Sequence, residues 1–159
     1  MVTSPTAKGY HAVTPSLTVK NSLQVIEFCK HAFNAKALEV LPTLDGKGTM
    51  HATIRIGDSI LMMGDEQPNQ GCKSAEALGA SPVSFYLYVP DVDAAFKQAI
   101  AAGAVATMPV AEMFWGDRAG GVKDPFGYSW MLATHTRDLS KEEIRKGGEA
   151  FFAQMTGKG

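Results

Sequence analysis

Four histidines, a Trp-x-Asp-Arg cluster and one strand of alternating hydroxyls hold the chemistry that this sequence could perform. His11, His51 and His135 with a carboxylate would suit a divalent metal, since imidazole and carboxylate are its usual donors. Scattered histidines equally serve as solvent-facing or hydrogen-bonded core groups. His31 falls on an outer helix and reads as structural. Trp115 offers a flat stacking surface with one donor, and Arg118 a fork for a carboxylate or phosphate. The same stretch also reads as a buried Trp beside an Asp117–Arg118 pair that orders a hairpin. Ser84, Tyr86 and Tyr88 alternate with the apolar Val83, Phe85, Leu87 and Val89, so they share one face of a strand. Tyrosine's broad ring and polar tip suit a planar small molecule, although a solvent face or a subunit contact would look alike. Cys29 has an apolar helical setting, and Cys72 has no neighbouring base to make it a nucleophile. No GxGxxG follows a strand and no GxxxxGK[ST] occurs, so dinucleotide and P-loop readings lack support.

The elements that position these residues occur twice. Leu17-Thr18-Val19-Lys20-Asn21 resembles Leu87-Tyr88-Val89-Pro90-Asp91, 70 positions later. Gly57-Asp58-Ser59-Ile60-Leu61-Met62 resembles Gly127-Tyr128-Ser129-Trp130-Met131-Leu132 at the same offset. The first half opens on a period-2 strand over Ala12–Val19, followed by a helix capped by Asn21, with Leu23, Ile26, Cys29, Ala32 and Phe33 on its apolar face. Strands are expected over Ala37–Leu44, Thr49–Ile56 and Ser59–Met63. The second half repeats the order, with strands over Val83–Val89, Ala104–Val110, Ala119–Lys123 and Tyr128–Ala133. Its helix is capped by Asp91 and stopped by Gly103. Each half is thus β-α-β-β-β. Module one spans about 10–64, a Gly/Pro/Ser-rich linker about 65–82 and module two about 83–135. A C-terminal helix covers about 140–155, opened by a Ser140–Glu143 capping box.

Composition narrows the function classes. The chain has 159 residues, with Lys+Arg 15 against Asp+Glu 16 and a net charge of −1. That balance gives no electrostatic footprint for nucleic acid. A hydrophobic content of 45% excludes a disordered chain. No apolar run is long enough to cross a membrane, and no basic segment followed by an apolar one suggests a secretory signal. Two cysteines are too few for a disulfide scaffold, so the expected location is the cytoplasm.

Paired βαβββ modules resemble the vicinal oxygen chelate superfamily of glyoxalases, bleomycin-resistance proteins and extradiol dioxygenases. The run Phe114-Trp115-Gly116-Asp117-Arg118 through Asp124-Pro125-Phe126-Gly127 resembles its PhnB-like branch. So do Thr14-Pro15, His51-Ala52 before Ile56-Gly57-Asp58, and Ala133-Thr134-His135 running into Asp138-Leu139-Ser140. The resemblance implies an α+β fold in which two modules form one cupped mixed sheet around a cleft, with helices outside, and a homodimer. It also implies four metal-ligand positions, which fall here on Thr14, Leu61, Ser84 and Met131. These residues cannot make a hard divalent site. Branch members sometimes carry a ubiquinone methyltransferase label, but no Gly-rich strand-to-helix turn here could hold a methyl donor's nucleoside.

The function expected is therefore small-molecule binding in the inter-module cleft without a cofactor. Thr14, Leu61, Met63, Ser84, Tyr86, Tyr88, Trp115, Arg118 and Met131 form the expected site, with Arg118 fixing an anionic group. The alternative is a metal-dependent lyase, isomerase or dioxygenase with a displaced His/carboxylate site. No catalytic residue is assigned.

Overall fold

The computed structural model describes residues 5–67, 69 and 71–156. Module one contributes β1 (Ser16–Val19), α1 (Ser22–Phe33), β2 (Lys36–Pro42), β3 (Thr49–Ile56) and β4 (Ser59–Asp65). A single helical turn, α2 (Ala75–Leu78), lies in the linker. Module two contributes β5 (Ser84–Tyr88), α3 (Val92–Ala101), β6 (Val105–Glu112), β7 (Asp117–Lys123) and β8 (Ser129–His135), followed by α4 (Lys141–Thr156). The order βαβββ is thus present twice, and the fold is α+β. The ladders form two four-stranded mixed sheets, β1-β4-β3-β2 and β5-β8-β7-β6, one per module.

Local chemistry explains the helix starts. Asn21 accepts from the Gln24 N–H and Asp91 from the Ala94 N–H, each a side-chain N-cap. Each module adds a second clamp from the end of its fourth strand. Asp65 accepts from the backbone N–H of Ser22 at 2.7 Å, and Thr134 accepts from that of Val92 at 2.9 Å. The first strand begins at Ser16, four residues later than the alternation suggests. Thr14 instead donates its hydroxyl to the His11 carbonyl, closing a turn ahead of the strand.

The helices cover one face of each sheet and share one core. Ile54, Leu61 and Met63 from module one and Val122, Trp130 and Leu132 from module two all belong to it. Phe33 of α1 stacks on Trp130 of β8 with ring centroids 4.5 Å apart, so the modules interlock through aromatic packing. Asp124 of the Asp-Pro-Phe-Gly turn accepts from the N–H groups of Phe126 and Tyr128 and from Trp130 Nε1, each at 2.9 Å. That signature is a buried structural clamp, and burial raises the Asp124 pKa even against these bonds.

The repeat is not in phase throughout. Ser16 and Tyr86, 70 apart, face Met62 and Met131, which are 69 apart. Four residues separate the paired Arg55 and Ile60, whereas five separate the paired Lys123 and Ser129. Module two is thus two residues shorter between its first and third strands and one longer in the hairpin, a net slip of one, and a shift of one reverses which face a strand residue occupies.

Candidate functional site

The face of module two turned away from its helices carries the site. On β5, Ser84, Tyr86 and Tyr88 point to this face, while Phe85 and Leu87 pack against the core. Through the registers Tyr86↔Met131, Tyr88↔Ala133, Ala119↔Ala133 and Asp117↔His135, the same face receives Met131, Ala133 and His135 from β8 and Asp117 and Ala119 from β7. Ala119 and Ala133 are fully buried there, and their small side chains leave room for the rings above them.

Asp117 is the centre of the constellation and is only 2% exposed. Its Oδ2 accepts from the Tyr86 hydroxyl at 2.7 Å, the Tyr88 hydroxyl at 3.1 Å and Trp115 Nε1 at 3.1 Å. Its Oδ1 lies 2.7 Å from His135 Nδ1, and His135 Nε2 lies 3.0 Å from Asp138 Oδ1. Trp115 Nε1 also donates to the Tyr86 hydroxyl at 3.1 Å. Burial alone would raise the Asp117 pKa, but the bonds from Tyr86, His135, Tyr88 and Trp115 outweigh it and hold the carboxyl below its ordinary value. The bonds to Asp117 and Asp138 raise the His135 pKa. Both ring nitrogens face carboxylates, an arrangement satisfied in full only by the imidazolium. Burial, together with the bond to Asp117, pushes the Tyr86 hydroxyl up to about 12, and Tyr88 moves in the same direction for the same causes. Both phenols therefore stay neutral and donating.

The turn before β7 aims Trp115 and Asp117. Gly116 has φ +100°, and a Cβ there would strike the Arg137 carbonyl. The Gly116 carbonyl accepts from the N–H groups of Thr136 and Arg137, both at 3.0 Å, tying the turn to the segment after β8. Phe114 meets Trp115 edge-on at 4.9 Å and contacts α4 through Phe151. Gly147 and Gly148 let α4 approach Phe114 closely.

Four of the expected site residues share this face: Ser84, Tyr86, Tyr88 and Met131. Trp115 joins them from the preceding turn. Arg118 does not. Neighbours on a strand point to opposite faces, so Arg118 turns toward α3, where its Nε and Nη2 donate to Asp93 at 2.8 and 2.9 Å. It also pairs with Glu112 and neither partners Asp117 nor waits for an anion. Leu61 and Met63 pair with Ile54 and Ala52, belong to the core and are 6% and 1% exposed. The residue matching Met131 by register is Met62, because the offset between modules is 70 at the first strand and 69 at the fourth. Thr14 lies outside β1, in the turn closed on His11. Asp117 and His135 complete the site. The sequence showed both residues, but only the β5-β8-β7 order makes them neighbours.

The metal implied by the resemblance does not fit the donors present. Thr14, Ser84 and Met131, with either Leu61 or Met62, offer no imidazole or carboxylate. His51 Nε2 faces the Thr53 hydroxyl at 3.0 Å, and His135 is engaged by two carboxylates. Among the described residues, no three His, Cys, Asp or Glu side chains group so as to hold a metal ion.

One hollow adjoins this constellation and a second lies in module one. A crevice of about 290 Å³ runs between the modules, lined by His11, Val13, Leu61, Phe85, Tyr86 and Trp130 among others, so Tyr86 belongs to both the crevice and the network. A larger cleft of about 770 Å³ lies in module one. Ser16 and Thr18 line it from the positions that Tyr86 and Tyr88 occupy in module two.

Duplicated βαβββ modules, each presenting a sheet face free of helices, define a glyoxalase-type scaffold. Residues 10–132 match the model of the Glyoxalase/Bleomycin resistance protein/Dioxygenase superfamily, and the chain belongs to that family. It is 39% identical over 137 residues to an uncharacterized protein of Mycobacterium bovis, covering 84% of this chain and 90% of that one. A crystal structure of an Arabidopsis thaliana gene product shares 28% identity at TM-score 0.63, over 78% of this chain and 98% of that one. The PhnB protein of Bacillus cereus shares the fold at TM-score 0.61 and 18% identity, over 78% and 99% of the two chains. No helix among the described residues is long and apolar enough to cross a membrane.

Proposed function

We propose that the chain binds a small organic molecule on the aromatic face of module two, next to the inter-module crevice, and that it does so without a metal at the family's four ligand positions. One observation carries this reading: a buried carboxylate, Asp117, fixes Tyr86, Tyr88, Trp115 and His135 at once, while the two tyrosine rings remain 45% and 61% exposed. Rigid, outward-facing aromatic surface is what a binding site needs, because little side-chain freedom is lost when a ligand lands on it. Met131 adds an adaptable apolar contact and Ser84 a hydroxyl.

The working form in this reading is a homodimer in the cytoplasm. Edge strand β2 is exposed at every residue and carries Leu38, Val40 and Leu41, apolar surface that a second copy would cover. Titration of intrinsic fluorescence against a library of planar organic compounds, followed by calorimetry of the hits on Trp115→Ala, tests the binding reading. Hits that lose at least tenfold in affinity support it. Hits indifferent to Trp115→Ala, or no hits, would remove it.

A further inference from the structure

The aromatic face has a sign. Trp115 Nε1 donates to the Tyr86 hydroxyl and to Asp117, and the hydroxyls of Tyr86 and Tyr88 both donate to Asp117. The His135 nitrogens face Asp117 and Asp138. Every N–H and O–H of these four side chains is directed into the network. What Tyr86, Tyr88 and Trp115 leave for a ligand is π surface and unshared hydroxyl lone pairs. The Ser84 hydroxyl, two residues along β5, is the group on this face that can still donate.

The charges agree. Two carboxylates, Asp117 and Asp138, stand against the single imidazolium of His135, so the cluster is net negative. Two cations flank the cluster in sequence: Arg118 lies on the other side of β7 and is held by Asp93 and Glu112, and Arg137 acts on Glu143, whose pKa it helps to lower. Tyr86 and Tyr88 have ring centroids 5.1 Å apart at an interplanar angle of 52°, an open angle rather than a closed stack. Phenols donating to a carboxylate present electron-rich faces, which attract positive charge.

Resting on the binding reading above, we propose that this face takes an organic cation, a quaternary or protonated amine or an N-alkylated aromatic ring, and discriminates against carboxylates and phosphates of the same shape. The acceptors and π faces point outward, and an anion would meet no free donor on the three rings and a net negative cluster behind them.

Three planar probes of matched size separate the outcomes at pH 7: 1-methylquinolinium, neutral quinoline and anionic 1-naphthoate. The readout is the indole N–H resonance of Trp115, assigned with Trp115→Phe, with affinities from calorimetry. The cation binds roughly 2- to 30-fold tighter than quinoline, the range a cation gains over exposed to desolvated aromatic faces, and tighter still than 1-naphthoate. Asp117→Asn reduces that advantage, and so does Tyr88→Leu, an exposed position whose change does not threaten folding. Equal affinities, or a preference for 1-naphthoate, would overturn the charge selectivity and leave small-molecule binding standing. No shift of the Trp115 resonance with any of the three probes would remove both.

Discussion

Replacing Asp117 by Asn keeps the shape of the side chain and removes its charge. The Asn oxygen can still accept from Tyr86, Tyr88 and Trp115, and its NH2 group then faces His135 Nδ1, which must switch to the neutral, accepting tautomer. Hydrogen bonds to a charged acceptor contribute about 1.5–3 kcal/mol, against about 0.5–1.5 for neutral pairs. Exchanging the acceptor for the Tyr86 and Trp115 donors alone therefore costs about 1 kcal/mol each, a floor of about 2 kcal/mol before the more exposed Tyr88 and His135 bonds are counted. For a chain of this size that is a fall in Tm of about 4–8 °C. Thermal unfolding followed by circular dichroism at pH 6 measures it. The network also predicts coupling: Asp117→Asn and His135→Ala combined destabilise by less than the sum of the single changes, since each removes the same contact. An unchanged Tm for Asp117→Asn, or strict additivity in the double mutant, would refute the claim that the four donors depend on one buried charge.

Further expectations follow from the same geometry. In the folded chain the Asp117 carboxyl lies below its ordinary 3.8, so its contribution is present above that pH and lost as pH falls through the folded value. His135 lies above its ordinary 6.5, so its contribution is full below that pH and lost as pH rises through the folded value. The network is accordingly strongest between about pH 4 and 6.5, and His135→Ala flattens the decline of Tm on the alkaline side. Arg118→Ala lowers Tm by loosening β7 from α3 but leaves the affinity of any ligand on the aromatic face unchanged by calorimetry. Gly116→Ala costs at least about 2 kcal/mol in denaturant unfolding, because positive φ strains any other residue and the added methyl meets the Arg137 carbonyl. Protein purified without chelator carries no stoichiometric Ni, Zn, Mn or Fe by elemental analysis.

The duplicated architecture could be read from the chain because its signals are local. Alternation marked the β5 face, and the side chains of Asn21 and Asp91 cap the helices expected of them. The Ser140–Glu143 capping box forms as its spacing implies. The site was legible only in part. Parity placed Ser84, Tyr86 and Tyr88 together, but the role of Asp117 depends on strand order, which brings β7 and β8 alongside β5. The Asp117–Arg118 pair was suggested by adjacency in sequence, and in a strand adjacency means opposite faces. Leu61 was misassigned because the repeat offset falls from 70 at the first strand to 69 at the fourth, invisible in matches of few identities. The turn α2 in the linker escaped notice because four residues give too little periodicity.

The central claim, that the working face is the aromatic one on module two, meets its most direct test in mapping a bound ligand by amide and indole chemical shifts. With the best hit of the fluorescence titration at saturation, the account predicts perturbations centred on Tyr86, Tyr88, Trp115 and His135. Perturbations confined to the larger module-one cleft, around Ser16, Thr18 and His51 and with none at Trp115, would contradict it.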